Sequence, residues 1–317
     1  DNTFTLHTKN TTYQMKVDQY GVLLHLYYGS RTAGNMDYLL TYTDRGFSGN
    51  PHDVGQDRTY SLDVLPQEYP TFGTGDYRSP ALIVKNHDGS FACDLRYYGH
   101  QITNGKYYLQ GLPAVYAEAE EAQTLAIFLR DPVSGVQVRL MYGVLPEYDI
   151  ITRSAIVKNK GNEPVLLEKV LSASIDIVNG NFDLITFGGR YAMERIYNRD
   201  RMEQGSIVIG SRRGYSSHQF NPMMILAEHR TTENYGKCYA MSFVYSGAWK
   251  GKAERDHVEL TRLQMGLHDE NFSYPLAPGE AFVAPEVVMS CSTSGLARLS
   301  QNLHDCFRSH LCRGKYK

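Results

Sequence analysis

The chain has 317 residues and a mass of 35.9 kDa, which allows one large domain or two modest ones. Its 32 Lys and Arg against 34 Asp and Glu leave a net charge of −2, so we expect no nucleic acid or membrane partner. Hydrophobic residues make up 42% and charged residues 21%, which excludes a disordered chain, and no apolar run approaches the roughly 18 residues of a spanning helix.

The alternation of apolar and polar residues predicts a chain of mostly β structure. Its 24 Tyr and 28 Gly also favour strands joined by tight turns. In chain order, we predict strands at residues 4–7, 13–17, 22–28, 124–130, 136–144, 150–158, 165–178, 207–210, 223–228, 239–245, 258–266 and 282–290. So many short strands in one run indicate a large sandwich or barrel.

Two stretches depart from this pattern. Residues 29–60 are rich in Gly, Pro and small polar residues and are too long for a hairpin loop, so they are a candidate functional segment. Near the end of the chain, apolar residues recur every three or four positions, which predicts an amphipathic helix capped by Ser294. Its stripe consists of Leu296, Leu299, Leu303, Phe307 and Leu311.

The cysteines and the sequence motifs exclude several classes of site. Five cysteines with no C-x-x-C pair argue against a disulfide framework or a zinc ribbon, and they favour a reducing cytoplasm. The sequence has no G-x-S-x-G, H-E-x-x-H, G-x-G-x-x-G or P-loop motif. We therefore expect no metal and no cofactor.

Two polar blocks and one Trp could contact a sugar or could serve packing. In residues 61–80, rigid Pro and Gly positions present planar polar groups suited to sugar hydroxyls, but an internal network of ion pairs and turns is the favoured reading. These groups are Gln67, Glu68, Asp76 and Arg78. In residues 210–222, adjacent Arg212 and Arg213 point to opposite faces, so we expect at least one to be paired inside. Trp249 is a candidate stacking platform, although packing is the commoner role.

At these blocks the sequence closely resembles the N-terminal domain of bacterial α-galactosidases of glycoside hydrolase family 36. The resemblance begins with the run from Arg58 to Pro80, through Leu65-Pro66-Gln67-Glu68-Tyr69-Pro70 and Gly75-Asp76-Tyr77-Arg78-Ser79-Pro80. It continues through Leu112-Pro113-Ala114-Val115-Tyr116, Ile151-Thr152-Arg153-Ser154, Ser211-Arg212-Arg213-Gly214, Ser216-Ser217-His218-Gln219 and Val244-Tyr245-Ser246-Gly247.

The resemblance implies an all-β fold, a large β-supersandwich similar to galactose mutarotases, with a C-terminal linker helix. Residues 1–292 would form the supersandwich, and residues 293–317 would lead into a (β/α)8 barrel outside this chain. Family members are retaining exo-α-galactosidases that act on melibiose and raffinose through two barrel aspartates, the nucleophile lying in a Lys-Trp-Asp motif. The chain lacks that motif, so we expect no catalytic residue in it.

The resemblance also implies partners and a binding role. Tetrameric family members use the long N-terminal loop to bind the sugar beyond galactose in a neighbouring subunit, through an Asp and an Arg that correspond here to Asp44 and Arg58. The expected partners are therefore the barrel, further copies in a homo-oligomer, which the resemblance implies is a tetramer for the full-length protein, and α-galactoside sugars. Two alternatives stay open: a stand-alone aldose mutarotase or epimerase, and a carbohydrate-binding module.

Overall fold

The computed structural model describes residues 2–42 and 59–315, which form 19 strands and one α-helix. The strands are β1 Thr3–His7, β2 Thr11–Val17, β3 Leu23–Ser30, β4 Leu82–Lys85, β5 Arg96–Asn104, β6 Gln123–Arg130, β7 Val136–Leu145, β8 Ile150–Asn159, β9 Val165–Ile177, β10 Phe182–Arg190, β11 Met193–Arg201, β12 Gly205–Ser211, β13 Phe220–Glu228, β14 Cys238–Val244, β15 Trp249–Arg255, β16 Thr261–Leu267, β17 Tyr274–Leu276, β18 Ala281–Val283 and β19 Glu286–Ser292, and the helix is α1 Gly295–His310.

The strands form three sheets, and each strand pairs antiparallel with its neighbours. The smallest sheet has the order β1-β2-β3. A ten-stranded sheet has the order β11-β10-β13-β14-β19-β8-β7-β6-β5, with β18 also paired to β8. A six-stranded sheet has the order β12-β15-β16-β9-β17, with β4 also paired to β9. The predicted all-β supersandwich is confirmed.

One large hydrophobic core draws side chains from all three sheets. Met15 of β2, Tyr142 of β7, Met265 of β16 and Met289 of β19 are all buried in it. Because side chains alternate along a strand, each of these strands turns its other face away from this core. A second cluster lies on the outer face of the ten-stranded sheet, where α1 packs.

The apolar stripe of α1 packs on the outer face of the ten-stranded sheet. Leu299 and Leu303 are buried in the second cluster, and Leu296, Phe307 and Leu311 pack half-buried against it. Ser294 occupies the N-cap position of α1 as predicted, but its side chain makes no capping hydrogen bond.

Backbone carbonyls of the turn before β14 cap α1 instead. Gly295 N–H donates to Gly236 O and Leu296 N–H donates to Thr232 O, at 2.9 and 3.0 Å. Gly295 has a φ of +85°, and a Cβ there would lie 2.5 Å from Glu233 O, so only glycine fits.

Several predicted boundaries differ from the structure. The strand predicted at 258–266 begins at Thr261, because Asp256 to Leu260 form the turn after β15. The strand predicted at 282–290 is two strands, β18 and β19, because Pro285 between them has no N–H for a ladder. Six further strands were not predicted: β4, β5, β10, β11, β15 and β17.

Candidate functional site

Glu68, a predicted candidate for sugar binding, lies in a buried polar network. Its carboxylate accepts hydrogen bonds from the hydroxyls of Tyr13 and Tyr142, each at 2.7 Å. His25 Nδ1 lies 2.7 Å and Arg153 Nη1 3.2 Å from the same carboxylate. Burial by itself would raise the pKa of Glu68, but Arg153 and the His25 hydrogen bond hold that pKa below its ordinary value. The network joins β2 and β3 to β7 and β8 across the core.

Asp76 and Arg78 lie in a second buried network, between the 61–80 block and the six-stranded sheet. Arg78 Nε donates to Asp76 Oδ1 at 2.9 Å, and Arg262 Nη2 donates to Asp76 Oδ2 at 2.8 Å. Arg262 also donates to Asp176 Oδ1 at 2.7 Å, and Gln67 Nε2 donates to Asp76 Oδ2 at 2.5 Å. Burial would raise the pKa of Asp76, but Arg262 and Arg78 hold it below its ordinary value.

These two networks decide between the two readings of the 61–80 block. Gln67, Glu68, Asp76 and Arg78 are all buried, with exposed fractions of 0–6%, and their polar groups are bonded within the protein. The internal network is confirmed, and the four residues do not face a sugar. His25 and Glu68 do form a His–carboxylate pair of the kind that mutarotase chemistry needs, but their side chains are only 2% and 0% exposed. This pair is therefore closed to substrate.

Trp249 is buried, whereas the arginine pair Arg212 and Arg213 lies at the surface. Trp249 is fully buried, and its Nε1–H donates to Ser216 O at 3.1 Å, which confirms packing. Arg212 and Arg213 are both exposed, so the expectation that one is paired inside is wrong. Arg212 pairs with Glu270 at the surface. Both arginines follow the end of β12 at Ser211, in a turn where Gly214 has a φ of +77°.

The remaining candidate is the long segment after β3, whose first flank is fixed on β2 by side chains that were not among the predicted site residues. Gln14 is the central anchor: its Nε2 donates to Gly34 O at 2.9 Å, and its Oε1 accepts from Met36 N–H at 3.0 Å. Lys16 Nζ pairs with Asp37 at 2.6 Å. Polar residues at alternate positions of β2 share one face of the strand, a pattern that by itself indicates a face turned to solvent.

The second flank of this segment is fixed at the β2–β3 turn. Tyr60 is buried, and its hydroxyl donates to Asp18 Oδ2 at 2.5 Å. The rings of Tyr20 and Tyr60 lie 4.5 Å apart in an edge arrangement. Burial, and then the charge of Asp18, raise the pKa of Tyr60 well above its ordinary value, so the hydroxyl stays a donor.

Both flanks therefore return to one region of the small sheet. We call residues 31–42 and 59–62, held by β2 and the β2–β3 turn, the loop base. Tyr38 and Tyr42 on the loop base are 71% and 45% exposed. Asp44 and Arg58 lie outside the described residues.

The described residues also bear on metal binding, disulfide formation and membrane insertion. Within residues 2–42 and 59–315, the structure has no group of three or more His, Cys, Asp or Glu that could hold a metal ion. All five cysteines are free thiols, four of them buried and Cys312 exposed. Among the helices in the described ranges, none is long and apolar enough to cross a membrane.

Comparison with known proteins identifies a family. The model of the glycosyl hydrolase family 36 N-terminal domain matches residues 21–277. The bifunctional α-galactosidase/sucrose kinase AgaSK of Mediterraneibacter gnavus is 57% identical over 99% of this chain, which covers 34% of that protein. The α-galactosidase Mel36A of Lactobacillus acidophilus is 42% identical over 99% of the chain, which covers 43% of that protein.

Solved structures agree with the sequence matches. The galactosidase domain of AgaSK superposes with a TM-score of 0.97, over 99% of this chain and 44% of that one. The α-galactosidase AgaA of Geobacillus stearothermophilus in complex with raffinose is 40% identical, with a TM-score of 0.96 over 99% of this chain and 44% of that one. The chain spans less than half the length of these relatives. It belongs to glycoside hydrolase family 36 and corresponds to the N-terminal domain of the family's α-galactosidases.

Proposed function

We propose that this chain is the non-catalytic N-terminal domain of a retaining exo-α-galactosidase that acts on sugars of the melibiose and raffinose type. The observation that carries the proposal is the match of almost the whole chain to less than half of several α-galactosidases. In this proposal residues 1–292 are the supersandwich, and residues 293–317 lead into the catalytic (β/α)8 barrel. The barrel supplies both carboxylates, which in retaining enzymes stand about 5–5.5 Å apart.

The buried networks support a scaffolding role for the described residues. Glu68 and Asp76 are carboxylates whose pKa values lie below the ordinary range. A general acid in glycoside hydrolysis needs the opposite, a raised pKa and access to the glycosidic oxygen. Neither residue suits that task, so the chemistry is assigned to the barrel.

We further propose that the domain contributes to a homo-oligomer, with Asp44 and Arg58 binding the aglycone in the active site of a neighbouring subunit. The loop base supports this proposal, because hydrogen bonds and a salt bridge fix the entry and the exit of the segment that carries both residues. Fixed ends reduce the conformational entropy lost when a segment binds its ligand. The relative AgaA, whose complexes contain raffinose and stachyose, supports the substrate class.

A cytoplasmic location completes the proposal. Five free thiols fit a reducing compartment, in which buried cysteines stay unpaired. Hydrolysis by two carboxylates needs no cofactor or metal, since the protein itself supplies the acid and the nucleophile.

Activity measurements on two forms of the protein test the catalytic part of the proposal. The chain of residues 1–317 should not release p-nitrophenol from p-nitrophenyl α-galactoside above a buffer control, whereas the same chain extended through the family's barrel should. Turnover by residues 1–317 alone would contradict the proposal. Polarimetry of freshly dissolved galactose tests the mutarotase alternative, because only such an enzyme would accelerate anomer equilibration.

A further inference from the structure

An apolar row remains on the outer face of the ten-stranded sheet after α1 has docked. We define this row as Phe187, Tyr197, Met223, Val244 and Phe307. Four of these residues are half-buried, and Tyr197 is 50% exposed. With the exception of Tyr197, they pack against the cluster that also holds the buried side of α1. The row is thus an extension of the helix-docking surface toward solvent.

Strand register places the row on one face. Phe187 of β10 stands directly opposite Tyr197 of β11, with ring centroids 6.1 Å apart. Met223 of β13 stands opposite Ser242 of β14, and Val244 follows two residues later on the same face. The row therefore crosses four adjacent strands, from the sheet edge to the strands beneath α1.

A rigid polar loop, residues 211–219, borders the row at the end where β10 and β13 meet. Gly189 N–H donates to Gln219 O at 3.0 Å, which fixes the loop to β10. Ser211 Oγ–H donates to Tyr215 O at 2.6 Å, so the loop is also closed on itself. With its backbone fixed, the loop exposes Arg213, Tyr215 and His218.

The composition of this surface is that of a protein interface. Stable interfaces have an apolar centre enriched in aromatic residues and Met, with Arg and other polar residues at the rim. Scattered single hydrophobic residues need no explanation, whereas a contiguous patch with a polar rim indicates a docking site.

We propose that the apolar row and its polar rim are the surface on which the catalytic domain that follows α1 docks. This inference rests on the proposed function. Two observations favour that occupant over other partners. The row includes Phe307, which lies in the last turns of α1, close to the point where a following domain would be attached. The relatives have more than half of their length outside the matched part. A domain tethered at α1 reaches this face at a high effective concentration.

The test uses charge substitutions in the chain extended through the barrel. Tyr197→Glu and Met223→Glu should each lower the calorimetric midpoint of the extended protein by roughly 2–4 °C or more, because a carboxylate would be buried against the docked domain. The matched control is Ile102→Glu on β5, at the opposite edge of the same sheet, where Ile102 is 63% exposed. This control should leave the midpoint unchanged.

The same substitutions in residues 1–317 distinguish docking from folding. Tyr197→Glu should leave the midpoint of the isolated chain within error, since half of this side chain already meets solvent. Equal shifts in both forms, or no shift in the extended protein, would overturn the inference. Dissociation of subunits by gel filtration with an unshifted midpoint would assign the row to a second copy and would also overturn it. The calorimetric readout does not depend on activity, so an inactive extended protein would contradict only the proposed function.

Discussion

The 61–80 block and the 211–219 loop look alike in the sequence but behave in opposite ways. Both are polar, punctuated by glycine and rich in arginine or aspartate. In the first, Asp76 and Arg78 are each 6% exposed and ion-paired inside the protein. In the second, Arg212 and Arg213 lie at the surface.

Distant partners make the difference. Asp176 of β9 and Arg262 of β16 stand directly opposite each other in the six-stranded sheet, and Arg262 also reaches Asp76. This pair allows the 61–80 block to bury its charges, because each buried charge meets an opposite one. The 211–219 loop meets no such pair, so its arginines remain in solvent. Burial of a charged segment therefore depends on strands far away in the sequence.

The largest expected effect compares one arginine from each environment. Arg262→Met should lower the free energy of unfolding by about 3–5 kcal/mol, because Asp76 and Asp176 would remain buried with Arg78 as the one arginine still beside them. Arg213→Met should change it by less than about 0.5 kcal/mol. Urea unfolding of residues 1–317 measures both. Similar losses for the two variants would show that the comparison is wrong.

The next largest loss in the free energy of unfolding is expected for substitutions on the packed face of α1. Leu303→Ala should cost about 2–5 kcal/mol, since a buried leucine loses its contacts with the sheet and leaves a cavity. Leu311→Ala, at a half-buried position of the same helical stripe, should cost clearly less. If the two variants unfolded at the same urea concentration, the helix would not be docked as described.

Acid should weaken the buried network of Glu68. The folded-state pKa of Glu68 lies below its unfolded value of about 4.3, so this group stabilises the fold above that pH. Its contribution is lost as the pH falls through the lower, folded-state pKa. Unfolding midpoints from pH 6 down to pH 3 should therefore fall less steeply for Glu68→Gln than for the wild type. Parallel profiles would contradict the role given to Glu68.

The smallest stability effect concerns the loop base. Gln14→Ala removes two hydrogen bonds to the backbone of residues 34 and 36 and should cost about 1–3 kcal/mol. Lys16→Ala breaks a partly exposed ion pair and should cost about 0.2–1 kcal/mol. Calorimetry of residues 1–317 can rank the two. The reverse order would mean that the salt bridge, and not the amide, anchors the segment.

The alternation of apolar and polar residues predicted the strands whose two faces differ in polarity. Strands without that contrast, such as β11 and β15, were not predicted. β11 is exposed along almost its whole length, so its side chains carry no alternating pattern. β15 does alternate, but two of its core positions are Gly251 and Ala253, which have little or no side chain to signal burial. A Cβ on Gly251 would collide with Met224 Sδ, so a side chain of β13 in the ten-stranded sheet already fills that space.

The candidate site was harder to predict than the fold. The 61–80 block is recognisable from its sequence as rigid and polar. Its pairing with Arg262 and Asp176 is not, because these residues are about a hundred or more positions away. Gln14 and Lys16 belong to a predicted strand, and nothing local indicated that the 31–42 segment would cover their face. Contacts between residues distant in the sequence, and not residue type, determined both the burial of the 61–80 block and the anchoring of the 31–42 segment on β2.

The central claim is that binding of the aglycone belongs to the segment on the loop base and not to the buried polar block. Steady-state kinetics of the chain extended through the barrel test it most directly, with Asp44→Ala and Arg58→Ala compared on raffinose and on p-nitrophenyl α-galactoside. Each lost charge-assisted hydrogen bond is worth about 1.5–3 kcal/mol, so KM for raffinose should rise roughly tenfold to a hundredfold. KM for the aryl substrate, whose leaving group offers fewer polar contacts, should rise much less. Equal changes for the two substrates would contradict the claim and would assign Asp44 and Arg58 to folding or assembly.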